Sequence, residues 1–304
     1  MVAQREAVRI ALMRGTLHFV SADDCLALRA VMQPVLDRTF YSSSPFGRAI
    51  AGIDPVDIVA AGRTLLQKEG PLGNAELGRR LKERWPDRDH TALAYAVHYL
   101  SPLVQVPPRG VWGKRGAAKL CPADTFLGRP LERAAAPEAV VRRYLGAFGP
   151  ASAADVRAWS GLAGVREVLE RLRGSLRVFR DEQGRELFDV ADGVLPDPEA
   201  PAPPRFLPEY DNALLGHEDR TRVIPEEHRW TPAGAGLGSS LLIDGFVGGT
   251  WKLERGRGKA TLSVAPYRRL GKREASDVCD EGARLLAFAA PGDSHAVRLL
   301  SPAA

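Results

Sequence analysis

One order of elements is written twice in this chain, and that repeat narrows the available folds more than any single residue does. The first copy runs from Gly70-Pro71 through AELGRRL, DHTALAYAVHYL and LVQVPPRGVWGK. The second runs from Gly149-Pro150 through AADVRAW, GVREVLERLRG and LRVFRDEQGRELFDV. In each, apolar residues first recur at helical spacing and then alternate, so each reads as a short helix, a turn, a second helix and a β-hairpin. That order is a winged helix. The expected fold class is α+β: tandem winged-helix modules, then a C-terminal β-hairpin or small antiparallel sheet with a closing helix.

The flanking segments fill in the organisation. VRIALMRGTLHFV reads as a hairpin broken at Arg14-Gly15, and Ser21 is placed to cap a helix over DDCLALRAVMQPVLDRTF. YSSSPFGRAIAGI is a connector, and Asp54-Pro55 opens the next helix as cap and N1 proline. Asn74 and Asp89 are read as caps of the two helices that follow. GVLPDPEAPAPPRFLP is too rich in proline for a core and reads as a linker. LLIDGFVGGTWKLERGRGKATLSVAPYRRL is a hairpin turning at Arg255 to Gly258. KREASDVCDEGARLLAFAA closes the fold with Val278, Leu285, Leu286 and Phe288 inward. The expected domains are therefore a remnant of a first winged helix at 1–48, a second winged helix at 49–130 and a third at 131–192. A linker follows at 193–208, then a C-terminal α/β segment at 209–304.

Charge is distributed unevenly. The chain carries a formal net charge of +5 and a pI near 9.3. Residues 241–273 hold eight basic residues against two acids, whereas residues 185–230 hold eleven acids against five arginines. A second basic stretch runs from Arg109 to Lys119. Cations on loop tips neutralise phosphates and release counterions, so duplex DNA is the expected partner. The plainer alternative, that a charged hairpin is only a solvated face, stays open at this point. The candidate DNA-binding residues are Arg14, His90, Thr91, Tyr95, Arg109, Lys114, Arg115, Lys252, Arg255, Arg257, Lys259, Arg268 and Arg269. His98 joins them as an exposed position on the third helix of the second module. None of the helix candidates is the arginine or asparagine that reads bases bidentately, so recognition of shape and backbone is expected.

Much catalytic chemistry is excluded. No Walker loop, H-E-x-x-H, CxxC or GxSxG occurs, and the glycines of GAGLGSS at 234–240 precede a hairpin instead of opening a helix. Three widely spaced cysteines fit buried thiols and match no metal-ligand spacing. No apolar run approaches the roughly 18 residues that span a bilayer. The expectation is a monomeric cytoplasmic protein with no metal, no nucleotide cofactor and no membrane partner. Tyr210, Asp211 and His217, in an acidic segment behind the linker, are candidate cleft-lining residues.

Three blocks, LMRGTLHFVSADDCLALR, FLPEYDNALLGHEDRTRVI and IDGFVGGTWKLER, resemble in order and spacing the winged-helix DNA glycosylases of the AlkZ-like family. The resemblance implies three tandem winged helices around a basic concave surface, excision of alkylated bases, unhooking of crosslinks and no cofactor. It assigns DNA binding to a C-terminal hairpin, matched here by the turn at Arg255 to Lys259. It also implies a catalytic Gln-x-Gln or Gln-x-Asp motif in helices before the LMRGTLH hairpin. No such motif occurs in the 304 residues, and neither Gln4 nor Gln33 stands in a matching context. Two explanations compete: a start assigned too far downstream, or a paralogue that binds without cutting. The chain as written is expected to bind DNA without glycosylase activity, and to expose Ile10, Leu12 and Leu17. The rival function is a winged-helix transcription regulator.

Overall fold

Arg14 and Gly15 both adopt positive φ (+56° and +69°), and the reversal they make folds strand β1 (Ala7–Ala11) back on β2 (Leu17–Ser21), antiparallel with Ala7 opposite Ser21. The computed structural model describes residues 1–132, 136–229, 231 and 238–302. It divides into one unit of Met1–Ala191 and another of Asp192–Ala304.

In the first unit, helix α1 (Ala22–Arg38) starts where the Ser21 hydroxyl accepts from the Asp24 amide, with Asp23 and Asp24 in the first turn. That satisfies an orphan donor and sets negative charge against the positive helix end. The connector contains a single π turn at Thr39–Ser43 and a short helix α2 (Phe46–Ala49). Helix α3 (Pro55–Lys68) is capped by Asp54 as expected. Helix α4 (Asn74–Arg84) differs in detail, because Gly73 is its N-cap and Asn74 is its first residue, with Oδ1 buried and unpaired. Helix α5 (His90–Leu100) is capped by Asp89, which accepts from the Thr91 and Ala92 amides. Strands β3 (Leu103–Gln105) and β4 (Leu120–Pro122) follow, then a short helix α6 (Ala123–Leu127).

The second copy gives α7 (Pro137–Phe148), α8 (Ala153–Ser160) and α9 (Val165–Leu172), then the hairpin of β5 (Leu176–Arg180) and β6 (Glu186–Val190). A reciprocal capping box between Ser152 and Asp155 opens α8.

The β1–β2 hairpin is not isolated: β3 pairs with β1, placing Ile10 opposite Val104, and the sheet order is β2-β1-β3-β4. This overturns the expected exposure of the first apolar face. Ile10 (1%) and Leu12 (0%) are fully buried in a core with Met32, Val35 and Leu36 of α1 and with residues of α7, α8 and α9. Burial of that extent contributes about 1.5–3 kcal/mol per side chain. Leu17, on the edge strand, is exposed. A second core gathers Ile58, Leu66, Leu77, Leu81, Leu93 and Val97 from α3, α4 and α5.

The second unit is a five-stranded sheet ordered β11-β10-β9-β8-β7. Its strands are β7 (Arg205–Leu207), β8 (Ser240–Ile243), β9 (Phe246–Gly256), β10 (Lys259–Pro266) and β11 (Ser294–Leu299). The end of the proline-rich stretch is thus a strand, paired antiparallel to β8 with Phe206 opposite Leu241. A short helix α10 (Asn212–Leu215) lies between β7 and β8. Helix α11 (Lys272–Ala289) covers the sheet through Val278 and Leu286, with Leu285 partly buried beside them. Phe288 does not face inward as expected: the buried positions recur at 278, 282 and 286, and Phe288 falls off that stripe at 69% exposed. After α11 the chain returns as β11, parallel to β10, an element absent from the sequence reading. Of the GAGLGSS segment, residues 234–237 lie outside the described residues.

Candidate nucleic-acid interface

Between β3 and β4 the chain makes a loop whose base is closed by the Val106 amide donating to the Lys119 carbonyl at 3.0 Å. Prolines 107 and 108 start it, joined by a cis peptide bond. Gly110 (φ +86°) and Gly113 (φ +70°) then reverse the backbone on either side of Val111-Trp112, at angles that side chains rarely tolerate. Internal bonds hold this shape: Val111 N–H donates to the Pro108 carbonyl at 3.1 Å, and Lys114 N–H to the Val111 carbonyl at 3.0 Å.

Arg109, Lys114, Arg115 and Lys119 are all exposed on this loop, and residues 106–119 contain no acid. Arg9 of β1 lies against it, since a Cβ at Gly110 would come 2.7 Å from Arg9 Cδ. The Arg9 guanidinium is held below its usual range, first by burial and then by the like charge of Arg109, and its buried Nε has no hydrogen-bond partner. Among the described residues none of these five cations forms an ion pair. An uncompensated cluster of that kind attracts a polyanion.

Helix α5 contributes less than expected. His90 is exposed and Thr91 partly so. Tyr95 is half-buried, with its ring stacked on Phe46 at 4.4 Å. His98 is not an exposed position: its Nδ1 is buried without a partner, and burial, then the nearby Arg29, lowers its pKa to about 4. It is neutral at pH 7. Arg14 is half-buried and donates to the Trp159 carbonyl.

Also in this unit, the buried Arg29 guanidinium donates to the carbonyls of Tyr99 and Ser101. Gln33 then links it to Asp37, four residues further on. A shallow cavity of about 380 Å³ opens beside Gln33, Asp37, Tyr41, Val56 and Leu100.

In the second unit, the β9–β10 turn is two residues long, Arg257 (φ +51°) and Gly258 (φ +71°), as a type I′ hairpin requires. Three of the eight basic residues in 241–273 are spent on internal ion pairs. Lys252 pairs with Glu254 at 2.9 Å, Arg255 with Asp293, and Arg268 bidentately with Glu274. Glu274 is pulled down to about 2, chiefly by its bonds from Arg268. Arg257, Lys259 and Arg269 have no ion pair among the described residues. The excess counted along 241–273 therefore overstates the charge on offer.

Tyr210 is exposed at φ +59°, Asp211 caps α10 by accepting from the Ala213 amide at 2.8 Å, and His217 Nε2 lies 3.2 Å from Arg222. The described residues of this unit line clefts. One of about 560 Å³ is lined by Pro203, Asp244, Asp277, Asp280 and Arg284, and one of about 420 Å³ by His228, Phe246, Tyr267 and Arg268. Neither includes Tyr210, Asp211 or His217 among its described lining residues.

The sequence reading missed Arg9. Arg9 sits within a strand pattern and gives no local signal.

No described helix is long and apolar enough to cross a membrane, and no three His, Cys, Asp or Glu side chains converge as metal ligands among the described residues. No curated protein matches the chain. Among solved structures it is similar to the Streptomyces sahachiroi DNA glycosylase AlkZ, with a TM-score of 0.73 and 19% identity over 98% of this chain and 83% of that one. At that identity the likeness speaks for the fold. The family model described as "DNA glycosylase AlkZ-like" matches residues 1–288, and the chain belongs to the AlkZ-like DNA glycosylase family.

Proposed function

We propose that this protein binds duplex DNA as a repair protein of its family, with residues 49–130 and 131–192 serving as winged helices. The supporting observation is the cluster of Arg9, Arg109, Lys114, Arg115 and Lys119, which no carboxylate neutralises among the described residues. Ion-paired arginines elsewhere offer less to a phosphate, because binding must first break the existing pair. Arg257, Lys259 and Arg269 form a second, smaller contact set. His90 and Thr91 supply donors but no bidentate base contact, so binding is directed at shape and backbone. The protein acts as a monomer in the cytoplasm, without metal or nucleotide.

The 304-residue polypeptide binds without cutting. Hydrolysis of an N-glycoside needs a positioned water, and the carboxamide or carboxylate that would hold it in a Gln-x-Gln or Gln-x-Asp motif is missing from this sequence. The family's reaction, excision of alkylated bases, is restored where a further segment supplies that motif.

Fluorescence anisotropy with a random-sequence duplex tests the binding. The five cations of the loop cluster account for about −4.5 of the log–log salt slope, from about 0.9 per neutralised phosphate. A sharp consensus sequence instead of uniform binding would favour a transcription regulator. Release of 7-alkylguanine from alkylated duplex by this polypeptide would overturn the assignment of inactivity.

A further inference from the structure

The bonded series from Arg29 through Gln33 to Asp37 has one end sealed and one end open. The Arg29 guanidinium is buried, whereas the Asp37 carboxylate is half-buried and lines the shallow cavity of about 380 Å³. Among the described residues Asp37 accepts from Gln33 and forms no ion pair. The opening therefore carries negative charge, while the opposing positive charge stays out of reach. Burial, then the charges of Asp37 and Asp54, raise the pKa of the Tyr41 phenol at the same opening, so it stays neutral.

The walls are of another kind. Pro55, Val56 and Val59 of α3 and Leu100 of α5 are apolar, and Val56 is 71% exposed. Tyr41 adds a half-exposed ring, set edge-on to Phe40 at 5.0 Å. Gln33 has both ends of its carboxamide engaged, the oxygen by Arg29 and the nitrogen by Asp37 and the Tyr99 carbonyl. A cation with several N–H donors finds one carboxylate here and turns its other donors toward hydrocarbon, where an unmade hydrogen bond is costly. A cation sheathed in methyl groups has no such donors. It meets the carboxylate by charge, the ring by its π face and the walls by apolar contact. A metal ion is not matched, since no three His, Cys, Asp or Glu side chains converge among the described residues.

We propose that the cavity beside α1, α3 and α5 binds a small organic cation of the quaternary ammonium class. Asp37 is its counter-ion, Tyr41 its aromatic wall, and Val56, Val59 and Leu100 its apolar seat. The volume lies at the small end of the roughly 300–1,000 Å³ common for organic ligands, which suits a molecule the size of choline. The site shares no residue with the cations assigned to DNA, and a negative opening repels a phosphate backbone. Its occupancy therefore does not depend on duplex binding.

The test titrates the full 304-residue chain with choline and with 3,3-dimethylbutan-1-ol, which has the same shape with carbon in place of the charged nitrogen. Broadening of the ligand methyl resonance in proton NMR reports binding. Choline is expected to bind with a Kd on the order of 1 mM, as a shallow site and a ligand of few atoms allow. The alcohol is expected to bind about fivefold more weakly, the worth of one charge pair about 4 Å apart in water. Asp37→Asn keeps an oxygen that can accept from Gln33, and should bring choline down to the level of the alcohol while leaving the alcohol unchanged. Tyr41→Ala should weaken choline about threefold, and Tyr41→Phe should not, because the ring makes the contact. Ethanolamine, with N–H donors in place of the methyl groups, should bind more weakly than choline. If Asp37→Asn does not fold, Val56→Lys tests the same site from an exposed position and should abolish choline binding through like charge. Equal binding of choline and the alcohol by the wild type overturns the cation site. So does choline binding that survives Asp37→Asn or Val56→Lys at full strength, and so does a wild type that broadens neither ligand.

Discussion

Arg29 Nη1 donates to Gln33 Oε1 at 2.5 Å, so a guanidinium 1% exposed to solvent is tied to the carboxamide one turn further along α1. With its oxygen so engaged, the Gln33 amide must point its NH₂ at Asp37, which accepts at 2.5 Å, and at the Tyr99 carbonyl at 3.2 Å. The buried cation thus meets its carboxylate through an intermediary. Replacing Gln33 by methionine keeps the volume and strands both ends of this chain of bonds. A loss of about 2 kcal/mol follows, since bonds to charged groups are worth about 1.5–3. Urea denaturation measures it, and an unchanged midpoint would mean the relay is dispensable.

His98 makes stability depend on pH. Its folded-state pKa of about 4 lies below the ordinary histidine value of 6.5, because burial and the Arg29 charge disfavour the imidazolium. The unfolded chain therefore takes up the proton first as pH falls. Stability is full above pH 6.5, declines between about 6.5 and 4, and is level below that as far as this group is concerned. The total is about 3 kcal/mol at 1.36 kcal/mol per unit. The variant His98→Phe, placed among Tyr95 and Tyr99, should flatten that window in melting temperatures recorded against pH.

Gly110 controls the loop. Any side chain there faces both a positive φ of +86° and the Arg9 side chain. Gly110→Ala should cost about 1–3 kcal/mol of local strain and weaken duplex binding several-fold by displacing the loop. Affinity equal to the wild type, with the fold intact, would show that the loop does not need this shape to bind.

Asp293 withholds Arg255 from the surface of the hairpin. Asp293→Asn removes the negative charge and releases the guanidinium, so the salt slope for duplex binding should steepen by about 1. Arg255 is half-exposed and Asp293 only 12% exposed, so a loss of about 1 kcal/mol in stability accompanies the change. A slope that does not move means that the hairpin stays off the DNA.

The helices were legible because their signals are local. Ser21, Asp54 and Asp89 cap where they were expected to, since an N-cap depends only on the few residues it precedes. Asn74 was misplaced by one position, as adjacent Gly73 can start a helix equally well. What the sequence hid was pairing across distance. The burial of Ile10 comes from β3, about 95 residues on, and β11 is recruited by β10 across a whole helix. The charge of the hairpin was likewise visible as a count, but its neutralisation by Asp293 and Glu274 depends on which acids the fold brings near. In the loop the reverse held: the absence of acids was written in the sequence, and only Arg9 had to be supplied by the fold.

The return of β11 alongside β10 has a mechanical effect. Six residue pairs, Lys259–Ser294 to Val264–Leu299, bind the outgoing arm of the hairpin, and Ser294 N–H donates to the Gly258 carbonyl at 2.8 Å, right at the bend. A tip anchored that close to its end behaves as a stiff prong. It samples few positions, and whatever it touches must already have the width and spacing to receive it.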